Sequence, residues 1–390
     1  MFTEKDTMTN IMKTEPVQRA IGNLFPSCWI PCVDLAHWNH SMEKIAKEDK
    51  MEWGQDFWSE PFVECANLLM KTVHDQSFCF VPLWREQETL NFSSGWIPDA
   101  DGNCEESVWL FTGNPQRDSQ AFAHTSGNGS IPPYPSNAVS EKEKCSYGNK
   151  RPAVIFCPGG GYEMLSYYSE GIQLAQRMER DGGYKGFVLN YRIRPNTYPQ
   201  PQMDLAMAIL HVRVHAQEYG IDPEKIFIVG ASAGGHLCAS EAYLHKELKE
   251  EVVRRLLNIN MENQQALKQK YEKISARPDA LGLLYPVISF SEDYHEGSYI
   301  NLTGEKPELK EKLSIELHID RYYPPTYAFA NEDDGCVPVS NTIRLDQKLE
   351  EANVKHLCQV YPQGDHGIGL GYRCSAKEWS EEMLKFFQTL

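Results

Sequence analysis

The sequence predicts an α/β fold with a mostly parallel central sheet and helices on both faces. Two observations predict it. Between residues 151 and 390, short apolar runs alternate with amphipathic helical patterns, and glycine- and acid-containing motifs stand directly behind those runs. Runs without polar alternation suit strands covered on both faces, as in parallel sheets. Open sheets of this kind bind ligands beyond the carboxyl ends of their strands, where the motifs fall.

The strands are expected at Ala153–Cys157 (AVIFC), Gly186–Tyr191 (GFVLNY), Lys225–Val229 (KIFIV), Ala280–Tyr285 (ALGLLY), Thr326–Ala330 (TYAFA) and His356–Tyr361 (HLCQVY). In 204–219, Leu205, Ala208, Ile209, Val212, Ala216 and Tyr219 recur at helical spacing, with Gly220 as a stop. His211 and His215 are expected on the surface of that helix. A helix over 340–352 opens with Ser340 as N-cap and carries Ile343, Leu345 and Leu349. The final residues place Trp379, Met383, Phe386 and Phe387 on one stripe.

The first 150 residues differ, holding seven of the eight tryptophans: Trp29, Trp38, Trp53, Trp58, Trp84, Trp96 and Trp109. Residues 1–75 read as a helical, tryptophan-rich extension. Its clearest helix has Ser59 as cap, Pro61 in the first turn, and Phe62, Cys65, Ala66, Leu69 and Val73 on one face. In 76–150, Phe78–Trp84 and Val108–Phe111 suggest two antiparallel strands that extend the sheet, and 113–150 reads as a long exposed loop. Residues 151–390 would form the core. The tryptophan-rich segment is expected to pack on that core and border the mouth of its site.

Over 390 residues the net charge is −16, which argues against nucleic acid and anionic membranes as partners. No run of eighteen apolar residues appears, so no membrane span is expected, and the first twenty residues carry no secretory pattern. Eleven cysteines are an odd number, and Cys157 and Cys238 fall inside expected elements, so free thiols in a reducing cytoplasm are the reading. No C-x-x-C or H-E-x-x-H spacing offers a metal site.

The chemistry centres on Gly230-Ala231-Ser232-Ala233-Gly234, directly between an apolar strand and a helical pattern. A G-x-S-x-G string alone is weak evidence, but this context is that of a nucleophile on a tight strand-to-helix turn. The run Cys157-Pro158-Gly159-Gly160-Gly161, also behind a strand, exposes backbone N–H groups for a developing oxyanion. Gly160, Gly161 and Ala233 are the candidate donors. Asp334 follows the strand TYAFA, and His366 follows HLCQVY, in the order Ser, Asp, His. Both therefore reach the edge where Ser232 stands. His236, one turn past the serine, is assigned to packing.

Six blocks match in order the acetyl esterase/xylan esterase-like α/β hydrolases, relatives of the hormone-sensitive-lipase-type esterases. They are PGGGYEMLSYYSEG, FVLNYR, GIDPEKIFIVGASAGGHL, SARPDALGLLYPVIS, DDGCVPVSN and YPQGDHGIGL. The resemblance covers about 151–390. Pro158 stands where lipase-type relatives carry the His of HGGG, and the backbone donors are unaffected. The resemblance implies the α/β-hydrolase fold and a short-chain carboxylic ester as substrate, with acetyl groups on small sugars foremost. The implied chemistry is acyl transfer to Ser232, with His366 as base, Asp334 as orienting acid, and no metal or organic cofactor. In that group the acid stands three residues before the Val of a Val-Pro pair, and Val337-Pro338 selects Asp334 over Asp333. A peptidase, an acyltransferase or a non-catalytic binding protein stays open, as does the oligomeric state.

Overall fold

The computed structural model describes residues 2–14, 39–48, 63, 67, 78–84, 108–113, 150–257, 262–371 and 374–390. Its eight-stranded sheet has the order β1-β2-β4-β3-β5-β6-β7-β8. The strands are β1 (Phe78–Pro82), β2 (Trp109–Gly113), β3 (Arg151–Cys157), β4 (Lys185–Asn190), β5 (Ile221–Ala231), β6 (Ala280–Leu284), β7 (Thr326–Asn331) and β8 (His356–Tyr361). β2 pairs antiparallel with both β1 and β4, and every other neighbouring pair is parallel. The six expected core strands are all present, and the two N-terminal strands extend the sheet as the sequence suggested. This is the α/β-hydrolase fold.

Every residue of β2, β4, β6 and β7 is buried. Since successive side chains point to opposite faces, both faces of the sheet are covered. After β3 the chain runs outward to β4, then returns to place β5 on the other side of β3. The crevice of such a sheet opens where the strand order reverses, between β3 and β5. The glycine run and Ser232 follow those two strands.

Two short N-terminal helices, α1 (Met8–Lys13) and α2 (Met42–Glu48), are joined by a bridge between Thr7 and Ser41. Ile11, Met42 and Ile45 are fully buried. Further along come α3 (Gln173–Arg177), α4 (Gln200–Val214), α5 (Ala233–Leu257), α6 (Glu262–Lys273), α7 (Glu296–Thr303), α8 (Glu308–Lys312), α9 (Ser340–Glu351) and α10 (Trp379–Gln388). No helix among the described residues is long and apolar enough to cross a membrane.

Three sequence expectations need correction. Helix α4 ends at Val214, because residues 215–220 tighten into turns in which Ile221 N–H donates to the Ala216 carbonyl. Ala216 and Tyr219 are still buried in those turns, which is why their spacing passed for helix. His211 is not on the surface: it is buried, with Nε2 3.2 Å from the Tyr219 hydroxyl. Ser340 is the first residue of α9 rather than its cap, and its hydroxyl donates to Asp293 at 3.0 Å. On the same helix Leu345 and Leu349 are buried, whereas Ile343 faces solvent. The C-terminal stripe of Trp379, Met383, Phe386 and Phe387 is buried as expected.

Of the N-terminal tryptophans, Trp84 and Trp109 are described, and both are core residues. Trp84 Nε1–H donates to Asp204 Oδ1 at 2.8 Å, and the Arg192 guanidinium reaches the same carboxylate at 2.7 Å. All three are buried, so the segment behind β1 is locked onto α4 by a satisfied ion pair. Losing one partner of such a pair costs about 3–5 kcal/mol. Of the helix expected after Ser59, Val63 and Asn67 are described and are helical, while its other residues, most of 113–150, and Trp29, Trp38, Trp53, Trp58 and Trp96 lie outside the described residues.

Candidate active site

Ser232 joins β5 to α5, and sterics shape the turn. A Cβ on Gly234 would fall 2.0 Å from the Cys157 carbonyl oxygen, so glycine alone lets α5 start this close to the end of β3. Ser232 holds φ 52°, in the left-handed region. That conformation costs a non-glycine residue on the order of 1 kcal/mol or more. Backbone bonds hold it there. Its N–H donates to the Leu284 carbonyl at 2.9 Å, and its own carbonyl accepts from His236 and Val287 at 3.1 and 3.2 Å.

The side chain, in a residue 6% exposed, meets the imidazole. Ser232 Oγ lies 2.8 Å from His366 Nε2, and His366 Nδ1 lies 2.8 Å from Asp334 Oδ2. An ionised carboxylate only accepts, so Nδ1 carries the proton and the Nε2 lone pair faces the hydroxyl. The Asp334 side chain is fully buried, and its Oδ1 accepts the Cys336 and Val337 amides at 2.9 and 2.8 Å. One oxygen is thereby anchored and the other left for the imidazole.

The adjacent acid does something else. Asp333 Oδ1 accepts the Gly364 and Asp365 amides, both at 2.9 Å. Asn331 Nδ2 donates to the Asp365 carbonyl at 2.7 Å. Asp334 thus orients the imidazole, while Asp333 and Asn331 hold the backbone on which it stands.

The glycine run passes directly over the serine: a Cβ on Gly159 would lie 2.9 Å from Ser232 Cβ. Pro158 accepts the Tyr191 hydroxyl at 2.5 Å, and Gly161 accepts Asn301 Nδ2 at 2.9 Å, both through their carbonyls. The Gly159 carbonyl accepts the Ser166 amide at 2.9 Å and the Gly160 carbonyl accepts the Glu163 and Met164 amides at 3.0 Å, while the Gly160 and Gly161 amides have no acceptor among the described residues. Ala233 is the first residue of α5, at a helix N-terminus whose partial positive charge favours an anion. Ser232, Asp334 and His366 therefore come together, with Gly159 packed against the serine and Ala233 next to it in the chain.

His236 is buried in the core beneath the turn. Its Nε2–H donates to the Leu313 carbonyl at 2.8 Å, Nδ1 accepts the Tyr162 hydroxyl at 2.9 Å, and Phe290 stacks on the ring. Burial pushes its pKa down to about 4. It is a neutral packing residue, as expected. No group of three or more His, Cys, Asp or Glu among the described residues is arranged to hold a metal ion.

The family described as BD-FAE matches residues 143–349, more than half of the chain. The chain belongs to the BD-FAE family. It is 30% identical over 247 residues to endo-1,4-beta-xylanase B of Butyrivibrio fibrisolvens, covering 62% of this chain and 36% of that one. It is 31% identical over 226 residues to an acetylxylan esterase of Xylanibacter ruminicola, covering 56% and 41%. The BD-FAE chain thus matches less than half the length of both relatives. Its fold also matches an acetyl ester-xyloside bifunctional hydrolase of Caldicellulosiruptor lactoaceticus, with a TM-score of 0.59 and 28% identity. That match covers 80% of this chain and 96% of the other.

Sequence reasoning missed two residues beside this BD-FAE site. Glu170 is buried and accepts the Gly159 amide at 2.8 Å. His295 caps α7, and its Cε1 would lie 3.6 Å from a Cβ on Gly161. Burial pushes its pKa down, and the charge of His366 adds to that. Glu170 lies inside the block PGGGYEMLSYYSEG, yet an acid in a polar loop has no periodicity to single it out.

Proposed function

We propose that the chain is a serine carboxylesterase that removes short acyl groups, acetyl foremost, from small sugar esters. The observation that carries this reading is the relay from Ser232 through His366 to Asp334, with 2.8 Å at each step. Ser232 Oγ attacks the ester carbonyl carbon while His366 Nε2 takes its proton. The oxyanion is met by the amides of Gly160, Gly161 and Ala233. The C–O bond to the alcohol then breaks, and the alcohol leaves with the proton from His366. Water, deprotonated by the same imidazole, hydrolyses the acyl-enzyme and frees the acid and Ser232.

The sugar-ester preference is supported by the acetylxylan esterase relative and by the acetyl ester-xyloside hydrolase of similar fold. In the same reading residues 151–390 are the catalytic core, 76–150 add the first strands and a loop, and 1–75 are a helical extension. The free thiols among the described cysteines fit a cytoplasmic setting. A panel of p-nitrophenyl esters from acetyl to octanoyl, together with acetylated xylose and xylo-oligosaccharides, tests the reading. Highest kcat/KM is expected on acetyl esters, with sugar acetates turned over. Hydrolysis of aminoacyl amides in preference to every ester would reject it.

A further inference from the structure

Glu170 stands on the segment Tyr168–Ile172, behind the glycine run, and is 3% exposed. Its Oε2 accepts the Gly159 amide at 2.8 Å, and its Oε1 accepts the Tyr285 hydroxyl at 2.9 Å. The Tyr285 oxygen in turn accepts the Gly369 amide at 3.2 Å, three residues past His366. Tyr285 also sets its ring edge against the His366 imidazole, with centroids 4.9 Å apart. It does so from the end of β6 with φ 36°, an unfavourable angle for a tyrosine. One line of contacts therefore runs from the glycine run through Glu170 and Tyr285 to the histidine loop.

The groups that hydrogen-bond this carboxyl are donors: the Gly159 amide, the Tyr285 hydroxyl and the Ser166 hydroxyl. Such a set fits an ionised carboxylate, which only accepts. Burial pushes its pKa up, while the charge of His366 and the three donors pull it back. On the imidazole's side, Asp334 bonds Nδ1, Ser232 faces Nε2, Tyr285 covers an edge, and His295 lies close enough to act through charge.

We propose that Glu170, acting with Tyr285, is a positioning residue of this site that holds the glycine run and the histidine loop in one register and sets a second negative charge beside His366. This rests on the serine esterase reading above. At the pH of catalysis the imidazolium forms as Ser232 gives up its proton, so the added charge stabilises the transition state more than the neutral resting site. In a water-poor site that attraction is stronger than in bulk solvent.

The test uses Glu170→Gln, which keeps the shape and one acceptor oxygen but removes the charge. On p-nitrophenyl acetate, kcat is expected to fall about tenfold with KM changed by less than about twofold, because the charge acts on the transition state. The pH at which His366 takes up its proton, read from its imidazole resonance, is expected to fall by about one unit relative to wild type. Glu170→Asp keeps the charge, so its midpoint should stay with wild type. Glu170→Met, apolar and of similar length, is the second variant and should move the midpoint in the same direction. An unmoved midpoint in a folded Gln or Met variant overturns the proposal, and so does failure of both to fold, which would make Glu170 a folding requirement. The resonance needs no turnover. If wild type hydrolyses no ester while the midpoint still moves, the esterase reading fails and the coupling stands.

Discussion

The serine and the histidine are placed by different means. Ser232 is set by backbone: a strand, a helix and a glycine at van der Waals contact leave its φ no alternative. His366 is set by side chains: Asp333, Asn331 and Asp365 hold its loop by hydrogen bonds to backbone groups. Burial follows the same division, with the serine almost enclosed and the imidazole side chain 14% exposed. A steric device tolerates almost no substitution in its glycines. A polar device is divided among several residues, each replaceable at moderate cost. The geometry of the turn at Ser232 should therefore survive loss of that side chain, whereas His366 should drift when its supports are removed.

Loss of the nucleophile gives the largest effect. Ser232→Ala should keep the turn and the fold while activity falls on the order of 10⁵-fold. Circular dichroism and ester hydrolysis measured on one preparation check both halves, and activity above a few per cent would refute the triad. Asp334→Asn comes next, with an expected loss on the order of 10³ to 10⁴-fold as the imidazole loses its tautomer. Fluorophosphonate labelling of Ser232 should slow in parallel if orientation is the cause.

A test of the buried side follows from His236, whose pKa is about 4 in the folded protein. The unfolded chain binds a proton near pH 6.5 and the native state does not, so stability drops as pH falls from about 6.5 toward 4. The drop is on the order of 3 kcal/mol for this group. Urea unfolding at pH 7 and pH 4.5 should show it in wild type and show less of it in His236→Asn. An equal decline in both proteins would mean that other groups govern the acid limb.

Asp333→Asn is the mildest change, since the amide keeps an oxygen for the Gly364 and Asp365 amides. Activity should fall about tenfold or less, a small loss typical of a neutral hydrogen bond weakened rather than removed. Should it exceed the loss in Asp334→Asn, the two adjacent acids have exchanged roles.

The sequence by itself determined the succession of strands along the chain and the three residues, Ser232, Asp334 and His366, that the structure brings together. Apolar runs bounded by glycine and acid motifs have few ways to pack, and a nucleophile, acid and base must all stand behind strands to meet. It also separated Asp334 from Asp333, through the Val337-Pro338 register of a resembling family. Other features needed the tertiary structure. Tyr219 kept helical spacing in a segment that turns out to be turns, because burial selects for apolar residues whatever the local backbone. His211 is buried, with Tyr219 and His215 coming back to meet it. Glu170 and Tyr285 are separated by more than a hundred residues and meet only where β6 ends beside the glycine run. Spacing along a chain reports which face of an element a residue occupies, but contact between distant loops depends on how those elements pack, and that is written in no single segment.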